Sequence, residues 1–364
     1  GVLMLENNID NERPRANDLG LKIGLLETGK TNSITDVPNV KVGHSTIIVG
    51  SGELEIGVGP IRTGVTAILP HDGNLYKQKV TAATHIINGF GKSIGLVQIN
   101  ELGSIESPIL LTNTINAWSV ADAVVDYLSS NNKGIYSFNP IVGECNDNYL
   151  NDILGRHVKP HHVINAISSA YSPNIEEGSI GAGTGMTCFG WKGGIGTSSR
   201  LGECPDGKYT IGILVLTNTG DPRELRIAGK LVGDSLIPSD VTSEAPGSII
   251  IVLATDAPVT SRQLSRIASR ASFGLARTGG IASHSSGDFV IAFSNAETRP
   301  SISDAHLTPL FRAAIEATEE AIINSILRAT TIVGRDGNIR HEIPIDQLIN
   351  ILNKKKLFIY IFNK

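Results

Sequence analysis

The sequence predicts one layered α/β domain, with helices lying outside two sheets. Three observations lead there. Short apolar runs rich in β-branched residues, at 211–216 and 249–254, are bounded by turn residues and read as buried strands. Segments with apolar residues at helical spacing alternate with them. No break in composition divides the 364 residues into separate units. Hydrophobic residues make up 41% and charged residues 18%, which supplies a core and excludes a disordered chain.

Residues 1–18 are polar and read as an N-terminal arm. Leu21, Ile23 and Leu25 alternate like a strand, and a second strand is expected within 33–44, with a turn at Pro38-Asn39. Residues 65–70 make another short strand, and Thr84-His85 leads to the Gly-bounded turn Asn88-Gly89-Phe90-Gly91. The first strong helix is predicted at about 115–130, with Trp118, Ala121, Val125 and Leu128 on its buried face. Val142-Gly143-Glu144-Cys145-Asn146-Asp147-Asn148 reads as a polar loop after a short strand, and a helix is expected at 160–171.

The densest glycine stretch is Gly181-Ala182-Gly183-Thr184-Gly185. It lacks the Gly-Lys-Ser/Thr of a phosphate loop and the spacing of a dinucleotide turn, so tight turns and close packing account for it better. The strand 211–216 ends at Thr217-Asn218-Thr219-Gly220. Beyond a loop rich in Ser, Pro and Asp, Pro246-Gly247-Ser248 opens the next strand. A helix over 260–276, capped by Thr260 or Ser261 and stopped by Gly279-Gly280, precedes Ser286-Gly287-Asp288 and the strand 289–293. A last long helix is predicted at 308–328. The tail from 352 is open to several forms: an edge strand, a cover for another subunit, or disorder.

Net charge of −4 and a pI near 6.2 give no basic footprint for nucleic acid. Cys145, Cys188 and Cys204 form no CxxC pair and no disulfide framework. A reducing, cytoplasmic setting is the simpler expectation, and a periplasmic one fits the same pattern. No segment reaches the roughly 18 apolar residues of a membrane span.

Chemistry centres on Ser248. A serine at the head of a buried strand is held rigidly yet reached through a loop, which suits a nucleophile. Gly247 leaves its own carbonyl open to the neighbouring hydroxyl, so the Gly247–Ser248 bond is a candidate for self-cleavage. A serine hydroxyl still needs a base. Among nine histidines, His284 is the one nearest a polar cluster, but no Gly-x-Ser-x-Gly elbow surrounds Ser248. Ser286 and Asp288 fit better: in an extended segment they face the same side, and a carboxylate bonded to one serine, itself bonded to another, can relay a proton. Cleavage would add the Ser248 α-amine, whose ordinary pKa of roughly 7.7–8.0 suits a base. Asn218, just past a buried strand, is a candidate oxyanion donor.

Several stretches in order resemble the self-processing L-aminopeptidase/D-esterase family, also known through its D-aminopeptidase and β-aminopeptidase members. They are Asn32-Ser33-Ile34-Thr35-Asp36-Val37-Pro38 with Val42-Gly43-His44, Thr84-His85 with Asn88-Gly89-Phe90-Gly91, Gly181-Ala182-Gly183-Thr184-Gly185-Met186, Gly193-Gly194-Ile195-Gly196-Thr197-Ser198-Ser199-Arg200, Ala245-Pro246-Gly247-Ser248-Ile249, and Gly279-Gly280 leading to Ser286-Gly287-Asp288. Together they span about 13 to 350. The resemblance implies a four-layer α/β/β/α sandwich over 19–350, cleaved into an α chain (1–247) and a β chain (248–364), with 351–364 as a tail. It matches Ser248 to the nucleophile, Ser286 and Asp288 to the assisting serine and acid, and Asn218 to the oxyanion donor. Glu144 falls where a carboxylate holds the substrate's free ammonium. The implied activity is removal of the N-terminal residue from short peptides, amino-acid amides or esters, without metal or organic cofactor, in a homo-oligomer of αβ units. Two other readings stand beside it: a self-processing transferase of the ornithine-acetyltransferase type, whose nucleophile is threonine, and an uncleaved, non-enzymatic relative.

Overall fold

The structure, a computed structural model, describes residues 13–240 and 247–362, with 355–362 described by backbone alone. Residues 1–12 of the arm, 241–246 of the loop before Gly247, and 363–364 lie outside the described residues.

Two sheets stack face to face. The smaller has four strands in the order β1 (Lys41–Val49), β2 (Ile61–Leu69), β5 (Ile109–Asn113), β6 (Ile141–Cys145). The larger has six, in the order β4 (Ser104–Ile105), β3 (Val80–Gly89), β10 (Gly287–Ser294), β9 (Ser248–Thr255), β8 (Gly207–Asn218), β7 (Gly194–Cys204). Most neighbours are antiparallel; β5 with β6 and β9 with β10 are parallel. A parallel pair needs a crossover. Helix α1 (Ala117–Asn131) supplies it for the first pair and α3 (Ser261–Arg277) for the second. With α2 (Pro160–Ser168) on the small sheet and α4 (Thr308–Leu327) on the large one, the layers run α/β/β/α.

Side-chain alternation in β9 shows why its sequence is apolar without a break. Ile250, Val252 and Ala254 enter the core between the sheets, while Ile249, Ile251 and Leu253 pack under α3 and α4. All eight residues from Ser248 to Thr255 are buried. The strand is thus clamped on both faces, and its first residue inherits that rigidity.

The helices fall within a few residues of their predicted positions. The buried face of α1 differs: Ala117, Val120, Ala121, Val124 and Leu128 point inward, whereas Trp118 is 55% exposed. Small residues let this helix lie close to the sheet, and the bulky indole is turned out. One predicted strand is absent and another starts later than expected. Leu21 to Leu25 is irregular, because the amide N–H groups of Leu25 and Leu26 are taken by the Glu316 carboxylate (2.8 and 2.9 Å) rather than by a neighbouring strand. Within 33–44, Ser33 caps a 3₁₀ turn, Ile34–Asp36, and Asp36 closes the capping box, so β1 begins only at Lys41. The described part of the arm packs on the body: Ala16 is buried and its N–H donates to Asn324 Oδ1 at 2.9 Å. The tail continues a helix, Ile345–Phe362.

Charge is buried under the large sheet. Arg200, on β7, is 1% exposed. Its Nη2 donates to Ile23 O at 2.7 Å and to Glu320 Oε1 at 3.3 Å, and Nε lies 3.6 Å from Glu316 Oε2. Removing one partner of such a set strands the others in a dry interior. Arg200→Ala is expected to cost about 3–5 kcal/mol in denaturant unfolding. A loss under about 1 kcal/mol would show that solvent reaches the two glutamates.

Candidate active site

Ser248 stands at one end of β9 with both neighbours in register: Asn218 opposite it on β8, and Gly287 beside it on β10. Its Oγ accepts the Gly287 N–H at 3.2 Å. Gly287 is required by space, since a Cβ there would lie 2.6 Å from Phe90 O. Gly247 is required for the same reason and not for backbone angle: a Cβ would lie 2.6 Å from both Asn218 O and Thr219 Cα. The chain therefore enters β9 pressed against the end of β8.

Ser286 and Asp288 flank Gly287, and Ser286 Oγ donates to Asp288 Oδ1 at 2.7 Å. Both side chains are fully buried. The second link of the expected relay differs. Among the described residues Ser248 Oγ bonds the Gly287 N–H, and no hydrogen bond joins it to Ser286. Asp288 Oδ2 has no hydrogen-bond partner among the described residues. Burial pushes the Asp288 carboxyl up to about 6, against the opposing pull of the Ser286 hydrogen bond. His284 is exposed, its ring turned toward Phe90, and it has no bond to Ser248 among the described residues.

Asn88, in the turn Asn88-Gly89-Phe90-Gly91, does more than end β3. Its Nδ2 lies 2.9, 3.1 and 2.6 Å from the carbonyls of Ser283, His284 and Ser286. The side chain pins the turn that delivers Ser286. The ladder between β3 and β10 shifts register beside it, between Asp288 and Phe289. Such bulges re-aim side chains next to sites.

Asn218 is oriented by its surroundings. Its Oδ1 accepts the Thr187 N–H at 2.8 Å and its Nδ2 donates to Asn146 O at 3.0 Å. A backbone N–H can bond only the oxygen and a carbonyl only the nitrogen, so the amide cannot be flipped. One Nδ2 hydrogen remains for another acceptor.

Glu144, on β6 and buried, is fixed at both oxygens: Oε1 accepts the Lys92 N–H at 2.8 Å and Oε2 accepts the Thr114 hydroxyl. It does not sit in a loop, as the sequence reading has it, but within the last strand of the small sheet. Glu144, Asn218, Gly247 and Ser248 all line one cleft of about 560 Å³, with Phe90, Tyr149, Thr187, Asp240 and Arg340 also in its walls. The site is thus assembled across the mouth between the two sheets, and its size suits a small ligand. Among the described residues no cluster of His, Cys, Asp or Glu is placed to hold a metal.

A serine, an oriented amide and a buried carboxylate thus share one cleft of a four-layer sandwich, and comparison with known proteins identifies the class. A family model described as Peptidase family S58 matches residues 32–340. A β-peptidyl aminopeptidase, BapA, of Sphingosinicella microcystinivorans is 40% identical over 381 residues, covering 97% of this chain and 95% of the relative. Among solved structures, a Pyrococcus horikoshii OT3 protein superposes with a TM-score of 0.89 at 50% identity, covering 94% of this chain and 99% of its own. The L-aminopeptidase D-Ala-esterase/amidase of Ochrobactrum anthropi, described as a variant of the Ntn hydrolase fold, gives 0.86 at 36% identity, with the same coverage. The chain is a hydrolase of the aminopeptidase kind. It belongs to peptidase family S58.

Described helices include none long and apolar enough to cross a membrane. Cys145, Cys188 and Cys204 are free and buried.

Proposed function

We propose that Ser248 is the nucleophile of a self-cleaving aminopeptidase acting on short peptides, amino-acid amides or esters with a free amino end. The observation that carries this reading is the position of Ser248: it heads a strand buried on both faces, yet opens into the same cleft as Gly247, Asn218 and Glu144. The names of the similar aminopeptidases support it.

In the first step the Ser248 hydroxyl adds to the Gly247 carbonyl and loses its proton. The Gly247–Ser248 amide C–N bond breaks, the nitrogen takes up a proton, and an ester forms at Oγ. Water hydrolyses that ester, freeing a Gly247 carboxylate on 1–247 and the α-amine of Ser248 on 248–364. In turnover Ser248 Oγ attacks the substrate carbonyl, the amide C–N bond breaks to leave an acyl ester on Oγ, and water hydrolyses that ester to release the amino acid. The new amine, or the Ser286–Asp288 pair, takes the proton and returns it to the leaving amine. The remaining Asn218 hydrogen and backbone amides face the oxyanion, while Glu144 receives the substrate ammonium.

Folded protein held near neutral pH is expected to resolve on denaturing gels into two chains, the smaller beginning Ser248-Ile249-Ile250. It should hydrolyse amino-acid p-nitroanilides with a free amine and leave their N-acetyl forms intact. Full-length chain alone after long incubation, or equal turnover of the acetylated substrates, would sink the reading.

A further inference from the structure

One cation in the cleft wall has no assigned task. Arg340 is 8% exposed. Its guanidinium stacks on the Tyr149 ring, 3.6 Å from the centroid, and Nε donates to Thr187 Oγ1 at 3.1 Å. These contacts fix the plane of the group in the cleft wall. Nη1 is buried with no hydrogen-bond acceptor, and Arg340 has no ion pair, among the described residues. Asp240, an acid in the same cleft, is exposed and lies 4.0 Å from His341 Nε2. Lys92, the other cation there, is exposed and turned toward the Phe90 ring.

A buried guanidinium nitrogen without an acceptor among the described residues is costly to keep, and Arg340 lines the cleft. Its planar fork matches a carboxylate, and stacking on an aromatic face prepays part of the side-chain ordering. Position adds direction. Thr187, which holds Arg340, also holds Asn218 through its N–H, and Asn218 is the strand partner of Ser248. The cation is therefore built into the flank that carries the oxyanion candidate, while the anion Glu144 comes from the other sheet.

We infer that Arg340 binds a carboxylate on the leaving-group side of the substrate, so that the cleft is matched to zwitterionic dipeptides: ammonium on Glu144, terminal carboxylate on Arg340. This rests on the aminopeptidase reading above and specifies its substrate class.

The test compares X–Ala, X–Ala amide and X–Asp amide, with X the residue whose p-nitroanilide is hydrolysed fastest, or alanine if none is. Wild-type kcat/KM should favour X–Ala over X–Ala amide by roughly tenfold or more, chiefly through KM. Arg340→Gln should bring the ratio near one, and Arg340→Lys should retain part of it. A preference for X–Asp amide over X–Ala amide would assign the carboxylate to an acidic side chain instead of the terminus. The same pairs are titrated calorimetrically into the Ser248→Ala protein, where the acid should bind about tenfold tighter than the amide. That measurement stands even if no peptide is hydrolysed, which separates this inference from the catalytic one. A wild-type ratio near one, or an unchanged ratio in Arg340→Gln, would overturn it. If Arg340→Gln does not fold, the wild-type ratio and Arg340→Lys decide.

Discussion

Ser248→Ala is expected to remain a single chain and to lose aminopeptidase activity by about 10⁴-fold or more in kcat/KM, with folding intact. On the proposed mechanism two losses follow from one oxygen. Self-cleavage needs Oγ to take over the Gly247 acyl group, and turnover needs the same atom to take the substrate acyl group. The fold should tolerate the change. Oγ makes one hydrogen bond, accepted from Gly287 N–H, while strand pairing of Ser248 on both sides runs through the backbone. The cost of an unmet Gly287 N–H is about 1–3 kcal/mol, small beside the burial of the rest of β9. Gel mobility, mass and p-nitroanilide turnover measure the result. A two-chain product from the alanine variant, or more than a hundredth of wild-type turnover, would remove Ser248 from both roles.

Much of this was legible in the residues, for a physical reason. A strand buried on both faces must be apolar without interruption, so 249–254 announces itself, and a serine before it stands out. The pairing of Ser286 with Asp288 follows from two-residue periodicity. What could not be read was which sheet each polar residue came from. Glu144 reads as a loop acid because Asn146 and Asp147 follow it, yet it ends a strand of the opposite sheet. Arg340 lies far from the other cleft residues in sequence and on a two-residue strand, with no periodic signal around it. The strand expected at 21–25 failed because a side chain, Glu316, satisfies the backbone that alternation would assign to a ladder. Long-range polar contacts leave no local pattern. Apolar faces do.

Asp288→Asn should separate activity from stability in opposite directions. Asp288 has an ordinary pKa of 3.8 in the unfolded chain and one raised to about 6 in the fold, first because it is buried. Between those values the folded protein holds a proton that the unfolded chain has released. The group's favourable contribution is therefore complete below about pH 3.8 and disappears as pH rises through 6. At pH 8 the buried, half-partnered carboxylate costs the fold on the order of 3 kcal/mol. Asparagine has a similar shape, can still accept from Ser286 Oγ, and never ionises. The variant is accordingly expected to melt higher than wild type at pH 8, with the difference shrinking toward pH 4. Catalysis should move the other way. Only the carboxylate can draw the Ser286 proton during transfer, so kcat/KM should fall by about 10²–10⁴-fold. In wild type the same group predicts an acid limb, with activity declining as pH drops through about 6. Thermal melts across pH and a kcat/KM profile give both readouts on one protein pair. Unchanged turnover in Asp288→Asn would make the acid a structural remnant, and a pH-independent difference in melting would place its ionised form in contact with solvent.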